Sequence, residues 1–502
     1  MNSERLTETI VESSNNGQTS TTFAELSRKR KKEFSSLTTR AEDVLAQEFA
    51  EIYGDHFRYD NIRQRWLVWD EHFWSPDENG EVHRAAEKLA KARFQKSFDI
   101  PLEIDERGPV SRATKFAIKA RSAYLLAATV KRAQHQTPIS VTGREFDRDP
   151  MLLGVLNGIV DLRADAKQRQ RDGQPVDMIT KQCPVKFDLE AKCPRWEQFL
   201  LEIFEKNQEF IDFVQRAIGY SLTGEDQEQV FFLLHGRGSN GKSTLLDTIQ
   251  AMLGSSYSAN LDFDALISEY RHRHQFDLAN IEGRRFVVAS ETDRKVELST
   301  KVVKSVVGNG KLVVNEKFKQ PRAIEPQHKL WLAVNELPTT TDRTDGFWRR
   351  ILLIPFERQF LAGEKDLKLP KVLLGELPGI LNWAVAGCLD WQRTGLDPPK
   401  IVRTATIEYH ERSDCFYRFI TDCCIIGTDP NAEITSQALR EAYDTWRELN
   451  PDAPEDPQGK GLLASLAAQG AVQDRVHTPD GKRVRGVRRV RLLPPKGTGL
   501  VN

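Results

Sequence analysis

Long apolar runs, an excess of one charge and a dense set of cysteines are all missing from this 502-residue sequence. No run of 18 or more apolar residues occurs, and the polar start, MNSERLTETIVESSNNGQTSTT, excludes the apolar part of a signal peptide. We therefore predict neither a membrane span nor secretion. Six cysteines without a paired CxxC pattern predict reduced thiols rather than a disulfide framework or a zinc site. Lys+Arg 72 and Asp+Glu 72 balance, so any basic surface must be local.

The sequence begins with a polar segment. Its length of 502 residues is enough for two to four domains. Residues 1–40 lack an apolar period and contain the basic run 28–32, which predicts a flexible arm that either touches DNA or is simply solvated. An amphipathic helical pattern starts at Ala41, and paired strands follow over residues 57–74. Helical stretches are expected at about 84–98 and 111–136, and a strand with a turn at Asn157-Gly158.

A phosphate-binding loop is the strongest chemical signal. An apolar strand pattern precedes the sequence GRGSNGKS, and a helical pattern follows it, which is the context that the G-x-x-x-x-G-K-S motif requires. In such a loop backbone N–H groups wrap a phosphate, the lysine contacts the β- and γ-phosphates, and the serine hydroxyl binds Mg²⁺. The residues predicted to hold ATP and Mg²⁺ here are Gly236, Gly238, Ser239, Asn240, Gly241, Lys242, Ser243 and Thr244.

Three later segments offer catalytic side chains to the same site. The strand pattern RRFVVAS is followed by Glu291, a candidate for activating water, and Asp293, a candidate Mg²⁺ ligand together with Glu291. Asn335 follows the strand pattern KLWLAV and could orient the water or sense the γ-phosphate. Arg349 and Arg350 precede a further strand pattern, where an arginine could stabilise transition-state charge in a neighbouring subunit's site. Taken singly, each of these segments also fits an ordinary strand end with solvated polar groups.

Together, the order and spacing of these elements make residues 230–356 resemble a superfamily 3 helicase core, of the phage, plasmid and poxvirus class of replicative primase-helicases. The resemblance covers roughly residues 45–450. It implies that residues 236–243 are Walker A, Glu291 is the Walker B acid, Asn335 is the motif C asparagine and Arg349 or Arg350 is the arginine finger. It also implies a hexameric ring, because an arginine finger acts on a neighbour's site.

The resemblance further implies a hairpin that grips single-stranded DNA in a central channel. The segment KSVVGNGKLVVNEKFKQP supplies Lys311, Lys317 and Lys319, with turn chemistry at Asn309-Gly310, although Asn315 stands where many relatives carry arginine. A surface hairpin with solvated lysines is the alternative. About 40 residues precede the helicase-associated module, so we expect no primase activity here and a separate primase as partner.

Near the C-terminus two helical patterns and a hairpin turning at residues 479–481 suit a winged helix. This stretch is locally basic, which favours contact with duplex or origin DNA through Lys482, Arg483, Arg485, Arg488 and Arg489; a solvated tail is the alternative. The predicted fold class is α/β, with a P-loop, AAA+-like ATPase core, an α-rich N-terminal module and a C-terminal winged helix. The predicted divisions are a flexible arm at 1–40, an N-terminal module at 41–195, the ATPase core at 196–400, a linker or helical extension at 401–430 and a winged-helix-like DNA-binding domain at 431–502.

The expected function is ATP-driven unwinding of DNA during replication of a mobile element, in the cytoplasm of a bacterial or phage-infected cell. One alternative is a P-loop ATPase that remodels proteins or packages DNA without unwinding it. The other is a DNA-binding initiator in which the nucleotide controls assembly only.

Overall fold

A computed structural model of the chain divides into two units, Met1–Phe146 and Asp147–Asn502. The residues that it describes are 41–99, 112–165, 168–267, 278–290, 296–308, 310, 312–314, 322–340, 344–427, 429, 431–451, 453–478 and 480–493.

The first unit contains a four-stranded sheet as well as helices, so it is less α-rich than predicted. Its helices are α1 (Ala41–Tyr53), α2 (Glu81–Lys96), α3 (Arg112–Ala120) and α4 (Ala123–Ala133), and its strands are β1 (Phe57–Asp60), β2 (Arg65–Asp70), β3 (Phe73–Pro76) and β4 (Ser140–Val141). The sheet order is β3-β2-β1-β4, with antiparallel pairs except for the parallel pair β1–β4. The helix predicted over 111–136 is two helices, because the Ser122 hydroxyl accepts from the Leu125 amide (3.4 Å) and starts α4.

A hairpin opens the second unit. Strands β5 (Leu152–Val155) and β6 (Gly158–Asp161) are antiparallel, with the turn close to the predicted Asn157-Gly158, and β7 (Gln170–Arg171) extends the sheet. Side chains of this region, including Leu153 and Cys183, lie in one buried cluster with Trp196. Residues 147–195 therefore pack with the segment that follows them, across the boundary that the sequence predicted at residue 195.

A five-stranded parallel sheet forms the centre of the second unit. Its strands are β8 (Phe231–His235), β9 (Ser258–Asn260), β10 (Phe286–Ser290), β13 (Lys329–Val334) and β14 (Ile351–Pro355). They lie in the order β14-β8-β13-β10-β9. Phe232 of β8 packs in one hydrophobic cluster and the next residue, Leu233, packs in another, so both faces of the sheet are buried.

Helices cover both faces of this sheet. They are α5 (Pro194–Ile203), α6 (Gln208–Ser221), α7 (Lys242–Tyr257), α8 (Thr300–Val307), α9 (Asp345–Trp348), α10 (Leu369–Gly375), α11 (Leu377–Thr394) and α12 (Lys400–Ser413). The first cluster takes side chains from α5, α6, α7, α10 and α11, and the second from α8, α9 and α12. In the described part of the chain no helix by itself has the length and apolarity to cross a bilayer, and only α10 with α11, a pair bent by 74°, meets those two criteria jointly.

A hairpin is present near the segment predicted over residues 304–321, but its second strand lies beyond that segment. Strand β11 (Leu312–Val314) pairs antiparallel with β12 (Arg322–Ile324). Gly310 lies between α8 and β11, so the predicted turn position precedes the hairpin rather than joining its two strands. Lys311, Asn315, Lys317 and Lys319 lie outside the described residues.

The C-terminal part of the second unit has a hydrophobic cluster of its own, which includes Phe419, Leu439 and Val487. Its elements are α13 (Cys415–Cys423), α14 (Ser436–Glu448), α15 (Lys460–Ala468), β15 (Cys424–Ile426), β16 (Glu433–Thr435), β17 (Val472–His477), β18 (Arg483–Arg488) and β19 (Val490–Leu492). Strands β17 and β18 form the predicted hairpin, and β16 pairs with the outer side of β18.

Candidate functional site

The loop that joins β8 to α7 lies at the carboxyl end of the parallel sheet. His235, the last residue of β8, is in register with Val334 of β13 and with Pro355 of β14. The residues that follow these three strands therefore converge at one edge. Such an edge, where polar side chains and a helix N-terminus meet, is the usual ligand position of open parallel sheets.

Two glycines let this loop approach its neighbours closely. A Cβ on Gly236 would lie 2.4 Å from the Phe356 carbonyl oxygen and 2.4 Å from Asn240 Nδ2. Gly241 has φ +90° and lies against α5, where a Cβ would come within 2.6 Å of Ile203. Ser239 also has a positive φ of 58°. The loop therefore turns back on itself and delivers the chain to the first turn of α7 at Lys242.

Lys242 is the central cation of the site, and only 6% of it is exposed. Its Nζ donates to the Gly236 carbonyl oxygen and lies 3.4 Å from Asn335 Oδ1. Burial lowers the pKa of this amine to about 8. The structure thus brings together two residues that the sequence assigned separately, Lys242 and Asn335, which are 93 positions apart.

The side-chain amide of Asn240 places a buried, unpaired hydrogen-bond donor in the same loop. Its Oδ1 accepts from the Lys242 amide (3.4 Å), whereas its Nδ2 has no hydrogen-bond partner in the part of the chain that the structure describes. An unpaired buried amide is costly, and an acceptor such as a phosphate oxygen would satisfy it. Together with the N-terminus of the 16-residue helix α7, this donor makes the loop a suitable site for an anion.

The remaining predicted loop residues are on the surface of the site. Gly238 and Ser243 are exposed, and Thr244 is half-buried in the first turn of α7. Glu291 and Asp293 lie outside the described residues, so their roles stay predictions. Across the described ranges no cluster of three or more His, Cys, Asp or Glu side chains is arranged to hold a metal ion.

The two candidate arginines differ in their surroundings. Arg350 is half-buried: it donates to the Gly346 carbonyl oxygen and lies 3.5 Å from Gln229 Oε1. Burial, with Arg349 as the second cause, lowers the pKa of Arg350. Arg349 is exposed. The sequence alone does not distinguish the two, whereas the structure gives Arg350 acceptors within its own chain.

Two family models match this chain. Residues 46–205 match the family described as D5 N terminal like, and residues 234–350 match a family of unknown function, DUF5906. "Putative helicase L207/L206" of Acanthamoeba polyphaga mimivirus is 28% identical over 330 residues, covering 61% of this chain and 34% of the relative. We therefore call the chain D5-like, after the family that residues 46–205 match.

Two other relatives of this D5-like chain also come from large DNA viruses. "Putative helicase 022R" of Frog virus 3 (isolate Goorha) is 22% identical over 395 residues, which is 61% of the D5-like chain and 40% of the relative. "Putative primase C962R" of African swine fever virus (strain Badajoz 1971 Vero-adapted) is 24% identical over 214 residues, which is 41% of the D5-like chain and 22% of the relative. The D5-like chain thus matches less than half the length of each of these three relatives.

Among solved structures, the D5-like chain is similar to the apo A form of the NrS-1 C terminal region. Sequence identity is 10% and the TM-score is 0.45, over 88% of the D5-like chain and 99% of the other.

The hairpin β17–β18 of the D5-like chain carries a basic face. Arg475 stands opposite Arg485, and His477 stands opposite Arg483. Arg483, Arg485 and Arg489 are exposed. Like charges directly opposite each other on a sheet are destabilising, so this face favours a partner of negative charge.

Two of the predicted C-terminal cations already have acidic neighbours. Arg488 Nε lies 3.2 Å from Glu433 and 3.3 Å from Asp474, and Lys482 Nζ lies 3.1 Å from Asp480. Of the five residues predicted to contact DNA, Arg488 is therefore the least available, because it holds β18 against acids of the two adjacent strands.

The sequence did not predict that α12 contacts the segments next to Asn335 and Arg349. The Tyr409 hydroxyl donates to the Pro338 carbonyl oxygen (2.6 Å), three residues beyond Asn335. The His410 ring stacks on Trp348, with centroids 4.2 Å apart, next to Arg349. The helical pattern of residues 400–413 gives no sign of these contacts, because both partners are more than 60 residues away in the chain.

Proposed function

We propose that the chain hydrolyses ATP at the loop 236–243 and uses the energy to move along single-stranded DNA and unwind duplex DNA during replication of a phage, plasmid or other mobile element. The observation that carries this proposal is the position of Lys242, buried between the Gly236 carbonyl and Asn335 at the carboxyl edge of a parallel sheet. The names of the viral relatives, helicase and primase, support the DNA substrate.

The loop residues fit the phosphates of ATP. Lys242 would contact the β- and γ-phosphates, and the unpaired Asn240 Nδ2 and the backbone N–H groups at the start of α7 would donate to phosphate oxygens. Asn335 would orient the attacking water or sense the γ-phosphate.

Mg²⁺, when bound, would neutralise charge on the phosphates. The exposed Ser243 hydroxyl is a suitable ligand, and Glu291 and Asp293 follow β10, whose last residue, Ser290, is in register with Ala333 beside Asn335. We assign Glu291 to water activation and Asp293 to the metal.

Arg349 is proposed to act on a neighbouring subunit's ATP. It precedes β14, and β14 runs parallel to β8, so Arg349 lies at the opposite end of the strand from the loop. Arg349 and Pro355 are six positions apart, which spans up to about 20 Å at about 3.3 Å per extended residue. Since the Arg349 side chain cannot reach its own loop, hydrolysis requires an interface between copies of the chain. A closed hexameric ring supplies one such interface for each site.

Two surfaces are proposed to contact DNA. Lys311, Lys317 and Lys319, around strand β11, would grip one strand inside the ring. The exposed arginines Arg483, Arg485 and Arg489, with Lys482, would contact duplex DNA from a winged-helix domain formed by α14, α15 and the β17–β18 hairpin.

Replacing both Arg483 and Arg485 by alanine should weaken binding of duplex DNA and reduce the slope of log affinity against log salt by about one unit per lost phosphate contact. Fluorescence anisotropy with a labelled duplex at several salt concentrations measures this. Arg403→Ala, which removes an exposed arginine paired with Asp397 (2.8 Å), is the control for loss of a surface arginine and should leave the slope unaltered. An unaltered slope in the double variant would remove the hairpin from the DNA interface.

The proposed function is tested by strand separation on a forked DNA duplex with single-stranded arms. The purified chain should release the labelled strand with ATP and not with a non-hydrolysable analogue. ATP turnover without strand release would instead favour a motor that remodels proteins or packages DNA. DNA binding without any turnover would favour an initiator that nucleotide merely regulates.

A further inference from the structure

Basic and acidic side chains are unevenly distributed in the first unit. Residues 112–144 include seven lysines and arginines and no aspartate or glutamate, and residues 88–98 include four lysines and arginines and again no acid. These two stretches meet in the structure, because the Thr114 hydroxyl of α3 donates to the carbonyl oxygen of Ser97, which follows α2 (3.5 Å). The chain, which is neutral as a whole, therefore carries a concentrated basic region on these helices.

Few of these cations have an acidic partner among the described residues. Arg93 pairs with Glu48, and Arg132 pairs with Asp43 at 3.2 Å. Along α2, α3, α4 and the turn that joins α3 to α4, the exposed cations without an ion pair to a described residue include Lys88, Lys91, Lys96, Lys119, Arg121 and Lys131. The acids that adjoin the two stretches are Glu87 and Asp99, which are exposed, and Glu103, Asp105 and Glu106, which lie outside the described residues.

Exposed aromatic rings lie in the same region. Phe98 is 66% exposed and Tyr124 is 72% exposed, and among the described residues no other phenylalanine, tyrosine or tryptophan is as exposed. The Phe98 ring lies edge-on against Phe94, with ring centroids 4.9 Å apart, and the Arg121 guanidinium lies over Phe94, 5.0 Å from its centre. Tyr124 is three positions after Arg121, which limits their Cα separation to about 11 Å. The basic aromatic surface is defined here as Lys96, Phe98, Lys119, Arg121 and Tyr124.

Cations beside exposed rings match the chemistry of a single-stranded nucleic acid. Lysine and arginine contact its phosphates, and its unpaired bases stack on aromatic rings whatever their sequence. A duplex keeps the faces of its bases stacked on one another, so it would contact the cations and leave Phe98 and Tyr124 without a partner. An acidic protein segment would also contact the cations, but its carboxylates gain nothing from two exposed rings.

We propose that the basic aromatic surface is a further binding site for single-stranded nucleic acid. Bases stack on Phe98 and Tyr124, and phosphates contact the three cations of the surface. The site belongs to the first unit, whereas the lysines around β11 and the arginines of the β17–β18 hairpin belong to the second. It needs no nucleotide, so it does not depend on hydrolysis at the loop 236–243.

The test separates bases from phosphates. Fluorescence anisotropy without nucleotide gives the Kd of the full chain for a labelled oligothymidylate and for an abasic oligomer of the same length. All proteins carry Lys317→Ala and Lys319→Ala, so that the proposed channel lysines do not contribute. Phe98→Ala with Tyr124→Ala should raise the Kd for oligothymidylate about tenfold or more, because stacked bases lose their partners. The Kd for the abasic oligomer should stay the same.

The cations should behave differently from the rings. Lys119→Ala with Arg121→Ala should weaken binding of both oligomers and reduce the slope of log affinity against log salt by about 0.7 for each lost phosphate contact. Ile62→Ala with Arg65→Ala is the matched control, because Ile62 is 49% exposed and Arg65 is exposed in the same unit outside the surface. This control should bind both oligomers like the parent protein.

A conservative variant guards against a folding defect. Phe98→Trp with Tyr124→Phe keeps both rings and should retain the affinity for oligothymidylate. Oligouridylate measured in parallel distinguishes RNA from DNA as the tighter ligand, and stacking predicts the same loss in Phe98→Ala with Tyr124→Ala for either one.

Three results would overturn the proposal. They are an equal loss for the abasic oligomer and oligothymidylate when the rings are removed, an equal loss for a duplex, and an unchanged Kd for oligothymidylate in both double alanine variants. A chain that hydrolyses no ATP but shows the base-dependent loss would overturn the proposed function and support this site.

Discussion

Replacing Lys242 by alanine should lower the rate of ATP hydrolysis by about 10²–10³-fold, the effect expected when a cation or donor that stabilises transition-state charge is removed. Lys242 is the buried cation of the loop, joined to Gly236 and Asn335, and a neutral side chain there cannot balance charge on the β- and γ-phosphates. Steady-state phosphate release measures the loss. Lys371→Ala, on the exposed surface of α10, is the control and should hydrolyse ATP like the wild type. Unimpaired turnover in Lys242→Ala would mean that the loop is not the catalytic site.

The affinity for ATP should also fall as the pH rises above about 8. Burial lowers the pKa of Lys242 to about 8, so above that pH the amine of the free protein is neutral. Binding of phosphate then requires uptake of a proton, which costs up to about tenfold in affinity per pH unit. Below that pH the amine is already charged and this dependence should disappear. Nucleotide titrations from about pH 7 to about pH 9.5 test this, with Lys242→Ala lacking the decline.

Replacing Arg349 by alanine should lower kcat for ATP hydrolysis by about 10³-fold or more, the range known for arginine fingers, with a small change in KM. The reason is geometric: Arg349 is exposed at the end of β14 remote from the loop, so in the proposed ring it would serve a neighbour's site. Arg350→Ala should behave differently. It removes the contacts with Gly346 and Gln229 and should lower thermal stability.

Mixing two inactive variants tests the assignment in trans. Lys242→Ala subunits keep the finger, and Arg349→Ala subunits keep the loop. In an equal random mixture about a quarter of the interfaces pair an intact loop with an intact finger, so part of the activity should return. Mass measurement of labelled subunits must show that mixed rings form. No recovery in such rings, or recovery with Arg350→Ala in place of Arg349→Ala, would transfer the role to Arg350.

The loop, with the strand before it and the helix after it, could be predicted because each depends on local pattern. The apolar run before Gly236, the glycines and the helical pattern after Lys242 each constrain a few neighbouring residues. The contact between Lys242 and Asn335 needed the order in which β8 and β13 pair, which is a property of distant segments. Packing across the boundary predicted at residue 195 has the same origin. The apolar side chains of residues 147–195 could pack on the segment before them or on the segment after them, and their contacts with Trp196 show that it is the segment after them.

The difference between Arg349 and Arg350 lies beyond any sequence pattern. Adjacent residues in a turn point in different directions, and the direction depends on acceptors such as Gln229, which lies 121 positions away. In the same way, the sequence gives a turn signal at Asn309-Gly310, but the strands that pair, β11 and β12, both follow that position. Residues that allow a turn occur at many positions in a sequence, and the pairing of the strands determines which of these positions form turns.

Helix α12 contacts two segments that adjoin proposed catalytic residues, so it could couple their movements. Tyr409 holds the segment after Asn335, and the adjacent His410 holds Trp348, beside Arg349. Successive residues of a helix point about 100° apart, so a single helix contacts both the segment after Asn335 and the segment before Arg349. Its last residue, Ser413, is followed at once by Asp414, which caps α13 in the C-terminal cluster. A small rotation of this helix would therefore displace both segments together, so that the proposed γ-phosphate residue, Asn335, and the proposed arginine finger, Arg349, would move in step.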